Sequence, residues 1–162
     1  MNVEAQEQNF VDDFVARWHN AQAYTLQMAA LMPEEQYSFR PSPEEMTYGE
    51  QLLHLSRNII YLSGTYLSPG DSLQKEALLK AAQSAQTKAE IAEVLNQAFN
   101  FVHHLLGKYP LAQLDAEVDF FAGRMRQRRV FFLLIDHLAH HRGQLAVYLR
   151  LKGFKPPRYV GW

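Results

Sequence analysis

Two histidines four residues apart, His137 and His141, stand in an otherwise apolar stretch near the end of the chain. An α-helix turns about 100° per residue, so these positions lie about 40° apart on one face. Two imidazoles at this spacing can each give one nitrogen to a common metal ion. The spacing alone leaves open a second interpretation, a pair of hydrogen-bonded core histidines without an ion. Leu138 follows His137, so the glutamate of a metalloprotease helix is missing.

The helix that carries this pair is predicted over about residues 126–152, because Gly153 followed by prolines is a typical helix stop. On a helical wheel one apolar line contains Val130, Leu134, His137, His141 and Tyr148. Gln144 flanks that line, whereas His140 lies to one side and Arg142 to the other. We therefore expect His140 to contact a ligand side chain or a neighbouring helix rather than the ion.

A metal site needs a third ligand. The remaining histidines are His19, His54, His103 and His104. His103 and His104 are adjacent, so they face different directions. In the second predicted helix the apolar face is formed by Tyr48, Leu52, Leu55, Ile59 and Leu62. His54 lies off that face, in a polar strip with Thr47, Gln51, Asn58 and Tyr61. Periodicity favours a solvated strip, and the alternative is a wet cavity inside a bundle.

Composition limits the chemistry that such a site can perform. The chain has 162 residues, a formal net charge of -1 and no cysteine. Disulfides, thiolate nucleophiles and cysteine-bound zinc are thereby excluded.

The start of the chain does not resemble a secretory signal and no apolar run is long enough to span a bilayer, so we expect a cytoplasmic protein without a membrane partner. The only basic cluster, Arg124, Arg126, Arg128 and Arg129, is interpreted as a solvated helix start, and no nucleic-acid partner is expected.

Four long helices are predicted from apolar spacing and end signals. They span about residues 7–31, 47–67, 87–108 and 126–152. Thr47 with Glu50 and Thr87 with Glu90 form capping boxes that begin two of them. Residues 71–86 are predicted to form a short helix plus a linker, and 33–46 and 109–125 to form long connections. The pattern predicts an all-α four-helix bundle that occupies residues 1–162 as one domain.

Three stretches resemble the DinB superfamily. They are "DHLAHHRGQLAVYLRLKG" at 136–153, "MTYGEQLLHL" at 46–55 and "LMPEEQYSFRP" at 31–41. The resemblance implies an up-down-down-up topology and a divalent metal held by His54, His137 and His141. Zinc, nickel, iron(II) and manganese all suit three imidazoles.

The same motifs imply roles for neighbouring residues. The side chains expected around the ligands or the cavity are Gln51, Asn58, His140, Gln144 and Tyr148. Gly143 is expected to allow close helix packing. Arg142 is expected to point away from the metal and to pair with a carboxylate or an outer loop.

Relatives with this bundle include bacillithiol S-transferases and a mycothiol-dependent maleylpyruvate isomerase. The resemblance therefore implies a metal-dependent transferase or hydrolase that activates a low-molecular-weight thiol or water for reaction with a small molecule. The alternative is a non-catalytic bundle that binds a metal or ligand, or uses the metal structurally. Family members are often homodimers. Exposed aromatic residues near Phe120, Phe121 and the tail 159–162 would serve a dimer, and packing of that tail over the bundle explains them equally well.

Overall fold

The computed structural model describes residues 2–162, which form five α-helices and one minimal β-hairpin. The helices are α1 (Val3–Leu31), α2 (Tyr48–Tyr66), α3 (Ser72–Ser84), α4 (Lys88–Leu106) and α5 (Gln127–Leu151). The two strands, β1 (Glu117–Val118) and β2 (Met125–Arg126), pair antiparallel. The predicted all-α class is confirmed.

The helix ends follow local sequence signals. The hydroxyl of Thr47 accepts from the backbone of Glu50, whose carboxylate accepts from the backbone of Thr47, so the predicted capping box begins α2. Thr87 and Glu90 begin α4 in the same way. Gly153, at φ +82°, ends α5 in the left-handed region that favours glycine. Helix α1 begins four residues earlier than predicted.

Four helices form a closed ring in the order α1, α4, α2, α5, each packed on the next. Helices α1 and α5 run parallel, because Glu7 pairs with Arg128 and Tyr24 stacks on Arg142. Helices α2 and α5 run antiparallel, since Tyr48 meets Tyr148 at one end of the pair. The ring is the predicted four-helix bundle.

Helix α1 opposes α4, because Lys88 at the start of α4 donates to the carbonyl of Met32. Gly49 near the start of α2 lies against Ile91 near the start of α4, so α2 and α4 run parallel. The resulting directions are up, down, down and up, as the sequence motifs imply.

Helix α3 is the main addition to the predicted set of elements. It fills nearly all of the segment expected to be a short helix plus a linker. It packs against both α2 and α4, and it carries the chain back so that these two helices can run parallel. Ala82 is its one buried residue, which explains why no clear apolar stripe marks it in the sequence.

Aromatic side chains dominate the core between α1, α4 and α5. Trp18 is completely buried, stacks on Phe14 and donates its indole N–H to the carbonyl of Phe99. Phe131 packs edge-on against Phe14. These contacts fix the inner face of α5, so the side chains on its α2-facing side are held in a defined position.

The expected exposure of Phe120 is wrong. Only 8% of this residue is exposed, because the ring of Tyr66 packs on it. Phe121 is 79% exposed, as expected. In the tail after α5, Val160 packs against the core and Asn20 donates to the carbonyl of Trp162, so the tail does pack over the bundle.

Candidate metal centre

Three histidines from two helices converge between α2 and α5. The Nε2 atom of His137 lies 3.0 Å from Nε2 of His54 and 3.1 Å from Nε2 of His141. One nitrogen from each ring lies within 4.8 Å of the others. The structure thus brings together the three side chains that the sequence motifs assign to a metal, with the same ring nitrogen of His54, His137 and His141 facing the shared point.

The solvated position that periodicity favoured for His54 is wrong. Helix α2 packs against α5 as well as against α4, and Gln51 and His54 of its polar strip lie against His141 and His137 of α5. Gln51 is therefore buried, and His54 and Asn58 are half-buried. Gln51 and His54 of the strip therefore face the site, whereas Tyr61 at its far end is 43% exposed.

Two glutamines orient His141. Its Nδ1–H donates to Oε1 of Gln51 at 2.6 Å and lies 3.1 Å from Oε1 of Gln144. The amide of Gln51 in turn donates to Gln144 at 2.8 Å. A proton on Nδ1 leaves the lone pair of Nε2 free to face the other histidines. Gln51 and Gln144 therefore tie α2 to α5 and select the tautomer that a metal ligand requires.

The surroundings keep the three imidazoles neutral. Burial, followed by the neighbouring histidines, lowers the pKa of His137 and of His141 to about 4. Burial also lowers the pKa of His54, and the charge of Arg57 lowers it further. Neutral imidazoles are the form that binds metal. The sequence reasoning missed Arg57, although its position three residues after His54 places it on the same side of α2.

The other residues expected near the site take distinct positions. His140 is exposed and lies edge-on against His141, and the amide nitrogen of Gln144 is 3.3 Å from its Nε2. Tyr148 lies two turns beyond His141 and donates to the carbonyl of Met46 at 2.9 Å, so it holds the segment before α2. Asn58 lies one turn after His54 and is half-buried, so its expected place beside the cavity stays a prediction.

One expectation about the histidine motif is wrong, and another holds in part. Gly143 does not allow close packing, because it is exposed and a Cβ there would meet no atom within 4 Å. Arg142 does point away from the cluster, but no carboxylate in residues 2–162 pairs with it. Its guanidinium is buried over the ring of Tyr24, 5.6 Å from the ring centroid.

The remaining histidines are elsewhere. His103 is half-buried, stacks on His19 with ring centroids 4.0 Å apart, and lies 2.9 Å from Oε1 of Gln22. His104 is exposed, so the adjacent pair does face different directions. Within residues 2–162 no aspartate or glutamate joins the three-histidine group. The donor set that the structure offers is therefore three imidazoles.

Carboxylates reduce the positive charge of the arginine run around the start of α5. Arg124 pairs with Glu117 and Asp119 across the β-hairpin. Arg128 pairs with Asp115 and lies 3.8 Å from Glu7. Arg124 and Arg128 thus take part in local ion pairing at the start of α5.

Comparison with known proteins supports the fold that the site depends on. The profile of the DinB family matches residues 1–161, and the chain belongs to this family. A DinB-like protein of Bacillus cereus superposes with a TM-score of 0.74 at 24% identity, covering 92% of this chain and 97% of that one. A DinB-like protein of Bacillus subtilis gives 0.73 at 20% identity, covering 91% and 96%. No curated protein matches the chain.

In the described part of the chain, no helix is long and apolar enough to cross a membrane.

Proposed function

We propose that His54, His137 and His141 hold a divalent transition metal, and that the protein uses it to activate a thiol or water for reaction with a small molecule. The observation that supports this most directly is the convergence of three neutral Nε2 atoms at 3.0 and 3.1 Å. Two imidazole nitrogens that share an ion at about 2.1 Å lie roughly 3.0–3.4 Å apart, depending on the angle between them. The observed separations fit such a pair of ligands.

The donor set favours a catalytic over a purely structural metal. Structural zinc sites in proteins are closed by four protein ligands, whereas catalytic sites use three and keep a position open. The described residues supply three donors within reach of one another. His54 and His137 are only half-buried, so the convergent point is accessible from the outer side of the α2–α5 seam.

A bound divalent metal would lower the pKa of a thiol or of water and so supply a nucleophile near neutral pH. Gln51 and Gln144 keep Nδ1 of His141 protonated and its Nε2 directed at the site. Among residues 2–162 no carboxylate joins the three histidines, and the chain has no cysteine. This donor set favours a nucleophile from solution, either water or a low-molecular-weight thiol. Both a thiol transferase and a hydrolase agree with this arrangement.

The test is a panel of small thiols with electrophiles, and of activated esters and amides, assayed with and without added Zn²⁺, Ni²⁺, Fe²⁺ or Mn²⁺. We expect metal-dependent rates above background that His137→Ala removes and Val147→Ala, at an exposed position of α5, retains. Metal binding without any metal-dependent reaction would instead favour the alternative, a bundle that binds metal without catalysis.

We also propose that the protein is cytoplasmic, that it forms a homodimer and that it has no nucleic-acid partner. The exposed rings of Phe121, Tyr159 and Trp162 support the dimer, because each leaves more than half of its surface uncovered in one chain. Sedimentation velocity would measure the mass in solution, and a single species of monomer mass at micromolar concentration would remove the dimer from the proposal.

A further inference from the structure

An apolar cleft lies beside the three-histidine cluster, on the outer face of α5. Its volume is about 270 Å³. One wall is α5, and the other is the β-hairpin region that precedes it. The lining residues are Phe120, Met125, Arg129, Phe132, Leu133 and Asp136.

The cleft begins about one helical turn from the cluster, at Leu133. Leu133 precedes His137 by four residues, about 6 Å along the helix axis, and the two side chains lie about 40° apart on α5. The other α5 residues of the cleft, Arg129, Phe132 and Asp136, lie about 80–140° around the helix from His137, so Leu133 is the side of the cleft nearest the cluster. Asp136 directly precedes His137. A molecule whose reacting group lies at the histidines can therefore extend along α5 into the cleft.

The apolar floor of the cleft is already formed. Phe120 is held by the ring of Tyr66 at a centroid distance of 4.9 Å. Met125 and Leu133 are half-buried and pack against the core. Arg129 and Asp136 at the rim carry opposite charges, so the lining has no net charge. The cleft therefore selects for apolar surface and not for a charge.

We infer that this cleft receives the apolar substituent of the substrate, an alkyl or aryl group attached to the centre that reacts at the three histidines. The inference rests on the proposed function and assigns a substrate class to it. A volume of about 270 Å³ lies just below the usual range for whole small-molecule sites, so it suits one substituent and not a protein segment. Substrates without such a group lose the contact with Leu133, Met125 and Phe120.

Two hydroxamic acids that differ only in chain length test the inference. Acetohydroxamic acid and hexanohydroxamic acid carry the same metal-binding group, and the second adds four methylenes. Their dissociation constants are measured by calorimetry on protein loaded with Zn²⁺, after its metal content has been determined. Each fully buried methylene strengthens binding about fourfold, so in a half-open cleft we expect hexanohydroxamic acid to bind at least about tenfold more tightly.

Two serine variants test whether the tighter binding of hexanohydroxamic acid arises in the cleft. Met125→Ser and, independently, Leu133→Ser should reduce the preference for the longer chain several-fold and leave the binding of acetohydroxamic acid unchanged. Val147→Ser is the matched control, because Val147 is an exposed apolar residue of α5 on the far side of the cluster. Circular dichroism confirms that each variant is folded. The control should keep the wild-type preference.

Failure of the inference and failure of the proposed function give different results. Equal affinity for the two hydroxamic acids on metal-loaded protein overturns the inference and leaves the metal centre in place. A preference that survives in both serine variants also overturns it. If the chain-length effect is missing and Phe132→Ser halves the mass in solution, the cleft face belongs to a second copy of this chain. Protein that takes up no metal defeats the proposed function, and the inference with it.

Discussion

Gln51 determines which nitrogen of His141 faces the other two histidines. Its buried carbonyl oxygen accepts the Nδ1 proton at 2.6 Å, and its amide nitrogen is bound by Gln144. The side chain cannot rotate freely, because both of its polar ends are occupied. Such partners usually contribute strongly to metal affinity, since they fix the tautomer and the direction of the ligand.

We expect Gln51→Leu to weaken metal binding about 10–100-fold, because Nδ1 of His141 loses its principal acceptor. Gln51→Glu should restore much of the affinity, since a carboxylate oxygen at the same place accepts the same proton. Competition with a chromophoric chelator measures the constants. An equal loss in both variants would show that Gln51 acts through packing and not through the Nδ1 hydrogen bond.

The small size of Gly143 does not stabilise the fold, because no neighbouring helix packs closely against it. It is exposed in the interior of α5, and a Cβ there would have open space around it. Glycine in a helix interior costs about 0.5–1 kcal/mol relative to alanine. We therefore expect Gly143→Ala to raise the free energy of unfolding by about that amount in urea titrations. A Gly143→Ala variant that is less stable than the wild type would instead support the close helix packing that the sequence motif implies.

The position of α2 decides where His54 lies, and the capping box at Thr47 holds the start of that helix. Losing a threonine N-cap costs about 1 kcal/mol. Thr47→Ala and Thr87→Ala should both lower stability by about this amount, because each begins a helix of the ring in the same way. Only Thr47→Ala should also weaken metal binding, since α4 carries none of the three histidines. Thermal denaturation and chelator competition measure the two effects, and an equal change in metal affinity for both variants would contradict the account.

Most element boundaries could be predicted from the sequence because caps and stop signals are local. Thr47, Thr87 and Gly153 act within a few residues of themselves, and the structure places helix ends beside each of them. The His137–His141 pair follows from helical spacing in the same way. His54 does not, because periodicity identifies one buried face per helix and α2 has a second face against α5. Its assignment came from the resemblance of the motif.

Features that depend on tertiary packing were the ones that the sequence misjudged. Arg142 is expected from the sequence to pair with a carboxylate or an outer loop, and no carboxylate among residues 2–162 pairs with it; it is buried over Tyr24, because α1 lies parallel beside α5 at that level. Phe120 was expected to be exposed, and Tyr66 from another helix covers it. In each case the contacting residue is distant in sequence, so no local sequence pattern predicts the contact.

The whole molecule without metal should be sensitive to acid. The pKa values of His137 and His141 fall from 6.5 to about 4 on folding, mainly because of burial. Below about pH 6.5 the unfolded chain binds protons that these folded imidazoles do not, so stability falls with decreasing pH until about pH 4. Urea titrations of chelator-treated protein between pH 7.5 and 5 should show this loss, and His137→Leu should have a smaller slope. A stability that is constant over this range would contradict the burial of the neutral imidazoles.

Metal content of purified histidine variants tests the central claim most directly. Wild-type protein is saturated with Zn²⁺, freed of excess ion and analysed for metal per chain, beside His54→Ala, His137→Ala, His141→Ala and His140→Ala, with folding checked by circular dichroism. We predict close to one ion per chain in the wild type and in His140→Ala, since His140 is exposed and outside the convergent group. The other three variants should be nearly metal-free. A His140→Ala protein without metal, together with a His54→Ala protein that retains it, would place the ion on a different face of α5 and contradict the account.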